Sequence, residues 1–442
     1  MLWRSEQKVA ATPLAVGNRM PQRSASAPKI TLVIPTRERL PVLRHCMQTA
    51  LAQAYRNLQI LVSDNASSDG TGEFIQGLGD PRVRYINTGR RVSMSTNWEF
   101  ALSHVDDGWV MFLGDDDGLL PNAIDRLAEI TATTDCETIT FRACNYVWPG
   151  PSGSCFGRLV IPFCEGREVR QTSEWLKRVI DSRTDYTNLP MIYNLGIVSM
   201  GLINRIRRQC DRFFNSSIPD VYASVAFARS ATNYLYINQP FAIIGSSKFS
   251  NGASFAANSL KAVEEGGDRG IASDDNAEYR RFMSENDIPL HPKIAPARGG
   301  GHPLSWQMFV YEAFLQSKCV GGGMRDPHPG RQLALALAHP YAPERFDTVN
   351  QEWGRDFADM HGLDFHAALS EAKWLRRRAR IESVVRRVAS AIESLAIFDT
   401  SVPLENVYTA SLVAAAALWA RPSAATRLVR NGRYALKRLS PA

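Results

Sequence analysis

Three consecutive carboxylates, Asp115, Asp116 and Asp117, end the apolar run Trp109 to Leu113 and precede Gly118. Like charges held together repel, so such a triplet needs compensation. A hard divalent cation supplies it. Mg²⁺ takes oxygen ligands, often only one or two carboxylates, with phosphate and water filling the other positions. The cation would then screen a diphosphate and stabilise it as it departs. A solvated acidic turn, or an aspartate cap for the helix near Pro121, is the plainer alternative.

Other reactive side chains follow other apolar runs. Asp64 ends "NLQILVSDN", with Asn65 beside it. A carboxylate there can accept the imide N–H of a pyrimidine, or close an Asx turn, a role that suits Asp69 better. Pro35, Thr36, Arg37 and Arg39 follow "KITLVI", where arginine could meet phosphate. Arg91 is a weaker candidate of the same kind, as are Arg82 and Arg90.

The elements that must position these groups alternate. Ile30 to Ile34 is β-branched and reads as a strand buried on both faces. "RLPVLRHCMQTALAQAY" has helical spacing, "NLQILVSDN" is a second strand, "SSDGTGEFIQGL" opens a short helix and "RVRYIN" is a third strand. "SMSTNWEFALSHV" is a helix capped by Ser93 or Ser95, "GWVMFLG" a fourth strand and "LPNAIDRLAEIT" a helix with proline in its first turn. This order implies parallel βαβ units, whose ligands sit beyond the carboxyl ends of the strands. Three strands deliver polar groups to that one end.

The chain has 442 residues, 45% of them hydrophobic, enough for two or three domains and a sizeable core. Its formal charge of +7 suits an anionic small molecule, a membrane surface or nucleic acid equally. Seven scattered cysteines without a C-x-x-C pair exclude zinc-ribbon and thioredoxin readings and suggest free thiols in a reducing compartment. The N-terminus lacks an apolar signal core. The run "ASLVAAAALWA" is shorter than the ~20 residues a membrane-spanning helix needs.

The series "TLVIPTRERLPVLRHCMQTALAQAYRNLQILVSDNASSDGT", "DPRVRY" and "STNWEFALSHVDDGWVMFLGDDDGLLP" resembles the family 2 inverting glycosyltransferases of the GT-A fold, well over residues 28–145 and loosely to 255. The resemblance implies an α/β, Rossmann-like, mostly parallel sheet flanked by helices. It implies a nucleotide-diphosphate sugar donor, a hydroxyl acceptor on a glycan or lipid-linked glycan, and Mg²⁺ or Mn²⁺. Pro35 and Thr36 then lie beside the base, Asp64 at the base, and Asp115, Asp116 and Asp117 at the metal. The frequent Asp-x-Asp-Asp form would put its first aspartate at Gly114, so the register is Asp116–Asp117 or Asp115-x-Asp117. Asp117 faces the metal in both, with Asp116 the second ligand. Asn65 replaces the second aspartate of an Asp-Asp-Gly form, leaving the nucleotide preference open.

Family members carry a carboxylate base at the start of a later helix, and "SSIPDVYASVAFA" puts Asp220 there, with Asp211, Asp185 and Glu165 in reserve. Such a base takes the acceptor proton as the anomeric carbon is attacked. An aspartate in that place is also an ordinary N-cap. "SSKFSNGAS" could cover the donor, with Lys248 near phosphate.

The expected organisation is a flexible tail over 1–28 and a catalytic domain over 29–255, split into a nucleotide-sugar half (29–145) and an acceptor half (146–255). A mobile linker (256–303) and a helical basic region (304–442) follow. Arg376, Arg377, Arg378, Arg380, Arg386 and Arg387, then Arg427 to Arg438, fit either peripheral contact with an anionic membrane or an ordinary solvated helix face. No nucleic-acid-binding module accompanies the charge. The expected location is cytoplasmic, at or near the inner face of the plasma membrane. A nucleotidyltransferase and a non-catalytic nucleotide-sugar binder are the alternatives.

Overall fold

A computed structural model describes residues 27–149, 157–250, 285, 287–294, 305–321, 324–339, 347–397, 404–427 and 431, without the side chains of 347–350 and 380–392. The tail before residue 27, most of the expected linker, Cys155 and the basic residues Arg430, Arg433, Lys437 and Arg438 lie outside it.

The first half alternates as expected: β1 Ile30–Thr36, α1 Leu40–Leu51, β2 Leu58–Asp64, α2 Thr71–Gln76, β3 Val83–Asn87, α3 Met94–Leu102 and β4 Trp109–Phe112. β5 Gly118–Leu119, α4 Ala123–Thr133 and β6 Thr138–Val147 follow. Ser93 is the N-cap of α3, accepting from Thr96 N–H at 3.0 Å. α4 begins after Pro121, from Asn122 in the left-handed region, so the proline lies outside the helix rather than in its first turn.

The acceptor half comprises β7 Arg158–Pro162, β8 Arg167–Gln171, α5 Thr172–Ile180, β9 Gly196–Ser199, α6 Met200–Arg207, α7 Pro219–Ser230 and β10 Asn233–Ser246. Beyond it come α8 Trp306–Gln316, α9 Pro329–Ala338, α10 Asp347–His361, α11 Phe365–Glu393, β11 Ser394–Ile397 and α12 Val407–Ala420. The sequence reading of "ESLAIF" as helix is corrected. Residues 394–397 form a strand antiparallel to β7, with Leu395 and Ile397 buried.

One sheet runs β11-β7-β6-β9-β4-β1-β2-β3, with β10 paired to β5, β6 and β8. β3, β2, β1, β4, β6, β10 and β11 share one direction, and β5, β7, β8 and β9 oppose it. In register, Thr36 stands beside Asp64 and Asp64 beside Asn87, so three strands end level. β1 is apolar on both sides because both are covered. Leu32 and Ile34 enter a core with α1, α4 and α12, and Val33 enters a second with α3, α6 and α7. Burying each such side chain is worth roughly 1.5–3 kcal/mol.

Val310, Ala313 and Phe314 of α8 belong to that second core, while Met308, Tyr311 and Leu315 join α9 to α11 in a third. Helix α8 thus stitches the C-terminal helices to the sheet. Of the expected linker, Ile288 and Ile294 are buried.

The expectation of free thiols fails for one pair: Cys210 and Cys319 are disulfide-bonded, 109 residues apart. Cys46, Cys136, Cys144 and Cys164 are free.

Candidate active site

The turn after β4 is buried, with Asp115, Asp116 and Asp117 each 5% exposed or less. Each carboxylate has a different set of partners. Asp115 accepts from Thr36 Oγ1 at 2.8 Å and from Arg39 Nη1 at 3.2 Å. Burial nevertheless pushes its carboxyl above the ordinary range, with Arg39 pulling the other way. Burial also works against the Arg39 guanidinium, but Asp115 and Asp116 outweigh it and hold the charge.

Asp117 is held on both oxygens. Gly245 N–H donates to Oδ1 at 2.6 Å, while Asn194 Nδ2 at 2.5 Å and Tyr193 OH at 3.4 Å donate to Oδ2. Its carboxyl is pushed well above the usual range, chiefly by burial and then by Asp116. Asp116 accepts from Ser247 Oγ at 2.7 Å and from Ser250 Oγ, both on Oδ2. Its other oxygen has no protein donor among the described residues.

Asp64 is buried at the end of β2. It accepts from Tyr85 OH at 2.6 Å, Asn87 Nδ2 at 3.2 Å and Ser67 N–H at 2.9 Å. Asn65 is a loop tie, donating to Val92 O and accepting Val92 N–H, both at 2.8 Å. Its side chain is therefore spent on the backbone. Pro35 lies within β1 opposite Ser63. Asp69 accepts Thr71 N–H at 3.2 Å, the Asx turn expected of it, and Leu40 N–H at 2.8 Å, which ties it to α1.

Arg37 and Arg91 meet across Glu285, with Arg37 Nη1 at 2.6 Å. Two residues on, Asp287 accepts from Ser93 Oγ and Thr96 Oγ1 at the start of α3. These acidic partners were missed because they lie in a stretch read as linker.

Asp220 occupies the first turn of α7, one residue inside the helix rather than capping it. Tyr186 OH donates to Oδ2 at 2.9 Å. Burial raises the Asp220 carboxyl above its ordinary value, opposed by Tyr186 and the first-turn amides. Tyr193 donates to Asp117 and feels the charge of the other acidic groups. Burial, then the charges of Asp117, Asp116, Asp115 and Asp220, push its phenol well up. Of the reserve carboxylates, Asp211 and Glu165 are exposed, while Asp185 caps the short helix at Tyr186–Asn188, near enough for its charge to add to the rise at Asp220. Lys248 is exposed and lies over Phe249.

Sequence reasoning also missed Tyr193, Asn194, Ser247 and Ser250. Asn194 has φ 56°, a conformation asparagine tolerates better than most residues. Nothing in its local sequence ties it to Asp117, 77 residues away.

Among the described residues no three carboxylate, histidine or cysteine side chains converge on an ion position. The donor set still fits a hard cation held mainly by its ligand. Asp116 has one oxygen without a protein donor, in a buried acidic turn countered by Arg39. Mg²⁺ often uses only one or two carboxylates.

Strands that run one way and end in a buried acidic turn define a doubly wound α/β protein, a class whose ligands sit beyond the strand ends. Residues 31–153 match the family model described as glycosyl transferase family 2. That segment, which contains Asp64 and the whole acidic turn, belongs to this family. The GalNAc(5)-diNAcBac-PP-undecaprenol beta-1,3-glucosyltransferase of Campylobacter jejuni is 32% identical over 105 residues, 23% of this chain and 34% of that one. The succinoglycan biosynthesis protein ExoO of Rhizobium meliloti is 26% identical over 102 residues, 23% of this chain and 29% of that one. The chain thus matches about a third of those relatives' lengths. A solved structure of S. aureus TarS 1–349 in complex with UDP-GlcNAc is 12% identical, covering 80% of this chain and 92% of that one with a TM-score of 0.42.

Proposed function

We propose that the chain is an inverting glycosyltransferase that moves a sugar from a nucleotide-diphosphate sugar to a hydroxyl acceptor, in polysaccharide or lipid-linked glycan synthesis. The observation that carries this reading is that β1, β2 and β4 run one way and bring Thr36, Asp64 and a buried acidic turn to one end of the sheet, with Thr36 Oγ1 donating to Asp115 at 2.8 Å. In support, the family match covers the strand ends that supply Thr36, Asp64 and the triplet.

Asp64 meets the nucleobase, trading its Tyr85 and Asn87 partners for the ligand's N–H. Arg37 and Arg91, now on Glu285, meet the diphosphate. Asp116, through the oxygen that no protein group donates to, would hold a divalent cation, which when bound would neutralise charge on the leaving diphosphate. Asp117 holds the turn's shape by tying it to β10 and Asn194. Asp220 accepts the acceptor hydroxyl's proton as that oxygen bonds to the anomeric carbon. The bond from that carbon to the phosphate oxygen breaks, and the nucleoside diphosphate leaves with the electron pair.

The test is nucleoside diphosphate release from a donor panel with Mn²⁺. Asp220→Asn should lower transfer by roughly 10²–10⁴-fold, the usual worth of general base catalysis, without weakening donor binding. Asp116→Asn should weaken Mn²⁺ and donor binding together. Wild-type protein that binds donors yet releases no diphosphate with any acceptor would reduce it to a sugar-nucleotide binder.

A further inference from the structure

Helix α12, Val407–Ala420, contains no charged residue and is apolar on every side. Helices of that kind are buried in a core or against lipid. One side is accounted for: Val407, Ala410 and Ala414 lie in the core with α1 and the sheet, and Val413, Ala417 and Leu418 pack against it. The opposite side is bare. Leu412, Ala416 and Trp419, at helical spacing, face outward, with Leu412 46% and Trp419 88% exposed.

Cations gather where this stripe ends. A cavity of about 420 Å³ at the C-terminal end of α12 is lined by Arg126, Arg421, Arg427, Phe163, Leu418 and Pro422. Arg126 stacks 4.4 Å from the Phe241 ring and bonds Gln239 at 3.0 Å, while Arg427 lies over Phe163. Glu165, paired to Arg421 at 3.4 Å, is the acidic residue in the lining.

A bare apolar stripe with an exposed indole, joined to an arginine-lined pocket, matches the layering of an anionic bilayer surface. Aromatic and aliphatic side chains enter the acyl boundary while basic residues meet headgroup phosphates. The helix spans about 21 Å at 1.5 Å per residue, less than the ~30 Å hydrocarbon core, and so suits lying on a membrane. No helix of the described residues is long and apolar enough to cross one. We infer that α12 docks the protein on anionic phospholipid bilayers, with Leu412, Ala416 and Trp419 in the interface and headgroup phosphate at Arg421 and Arg427.

The other end of the helix gives this docking a consequence. Val407 packs behind Gly118, immediately after the acidic triplet, so the docked helix would hold the cleft at a fixed height above the lipid. The inference does not depend on the proposed donor chemistry, and its test reads a separate quantity.

Cosedimentation of the full chain with phosphatidylcholine vesicles, with and without phosphatidylglycerol, is the experiment. Binding should require phosphatidylglycerol. Leu412→Ser with Trp419→Ser should abolish it, and Arg421→Glu or Arg427→Glu should weaken it at least about fivefold each. Vesicles containing brominated lipid should quench wild-type fluorescence more than that of Trp419→Phe. Unchanged thermal midpoints and donor turnover in solution would show that the variants fold. Equal vesicle binding by wild type and the double variant would overturn the inference. So would failure of the wild type to bind, or a wild-type dimer that the double variant converts to monomer, which would assign the stripe to a second copy.

Discussion

Asp220 sits at the start of a helix, where backbone amides favour its anion, yet its carboxyl lies above the ordinary range because burial outweighs them. A base must be ionised to act, so the sign follows directly. Turnover should fall as pH drops, with a midpoint above the usual carboxylate region. Tyr186 OH donates to the carboxylate and favours its ionised form. Tyr186→Phe should therefore move the acid limb of kcat to higher pH while leaving the plateau within a small factor. A limb unmoved by this change, or set at the value of an ordinary exposed aspartate, would remove Asp220 from the role. The triplet divides differently. Asp117, which the sequence favours as the metal-facing residue, has both oxygens engaged by protein donors, whereas Asp116 keeps one oxygen open. The identity of the acidic residues was legible from their place after a buried strand. Their division of labour was not, because it depends on Asn194, Gly245 and Ser247, far along the chain.

At the scale of elements, β10 organises the site from behind. Its Gly245 donates to Asp117 and lies so close to the acidic turn that a Cβ would stand 1.9 Å from Asp116 O and 2.8 Å from Trp148 Nε1. Gly114 is crowded in the same way. A Cβ there would meet Asp117 Oδ2 at 2.1 Å and Tyr193 OH at 2.5 Å. This accounts for glycine where the resemblance would place an aspartate: the space belongs to Tyr193 and the Asp117 carboxylate. Gly245→Ala should then push the turn off β10, at a cost of about 1–3 kcal/mol of stability, the usual price of overpacking. Metal and donor binding should weaken with it. Chemical denaturation together with Mn²⁺ titration checks both, and a variant normal in each would mean that the turn can shift freely. The βαβ half was readable because its strands are β-branched runs buried on both faces. The edge strand β11 was not, since "SLAI" continues a helical composition and becomes a strand only by pairing with β7.

Over the whole molecule, the expected boundary near residue 304 does not separate two cores, because α8 contributes to the sheet's second core as well as to the C-terminal one. Glu312 on α8 lies at this junction, 1% exposed, accepting from Ser216 Oγ at 2.6 Å. Burial raises its carboxyl to about 7 from 4.5. The folded state therefore holds a proton that the unfolded chain releases. The contribution is fully present below about pH 4.5 and is lost as pH rises to about 7. Glu312→Gln keeps an acceptor for Ser216 and cannot ionise. Its stability should stay flatter across that window and exceed wild type by up to roughly 3 kcal/mol above it. Urea denaturation at several pH values reads this, and parallel curves for the two proteins would refute it.

The disulfide crosses the same junction. Cys210 precedes α7, whereas Cys319 lies in the turn after α8, so the bond fastens two elements that already share one core. Spacing could not reveal it, since pairing depends on how α7 and α8 meet. In the chain-entropy account a closed loop of this length stabilises mainly by restricting the unfolded state, typically by 2–4 kcal/mol. Reduction, or Cys210→Ser with Cys319→Ser, should therefore lower the denaturation midpoint by an amount of about that size. The packing of α8 into the sheet core survives the change, so unfolding should remain a single transition and donor turnover should persist. Two separated transitions after reduction would mean that the sulfur bridge, rather than the shared core, joins the C-terminal helices to the catalytic sheet.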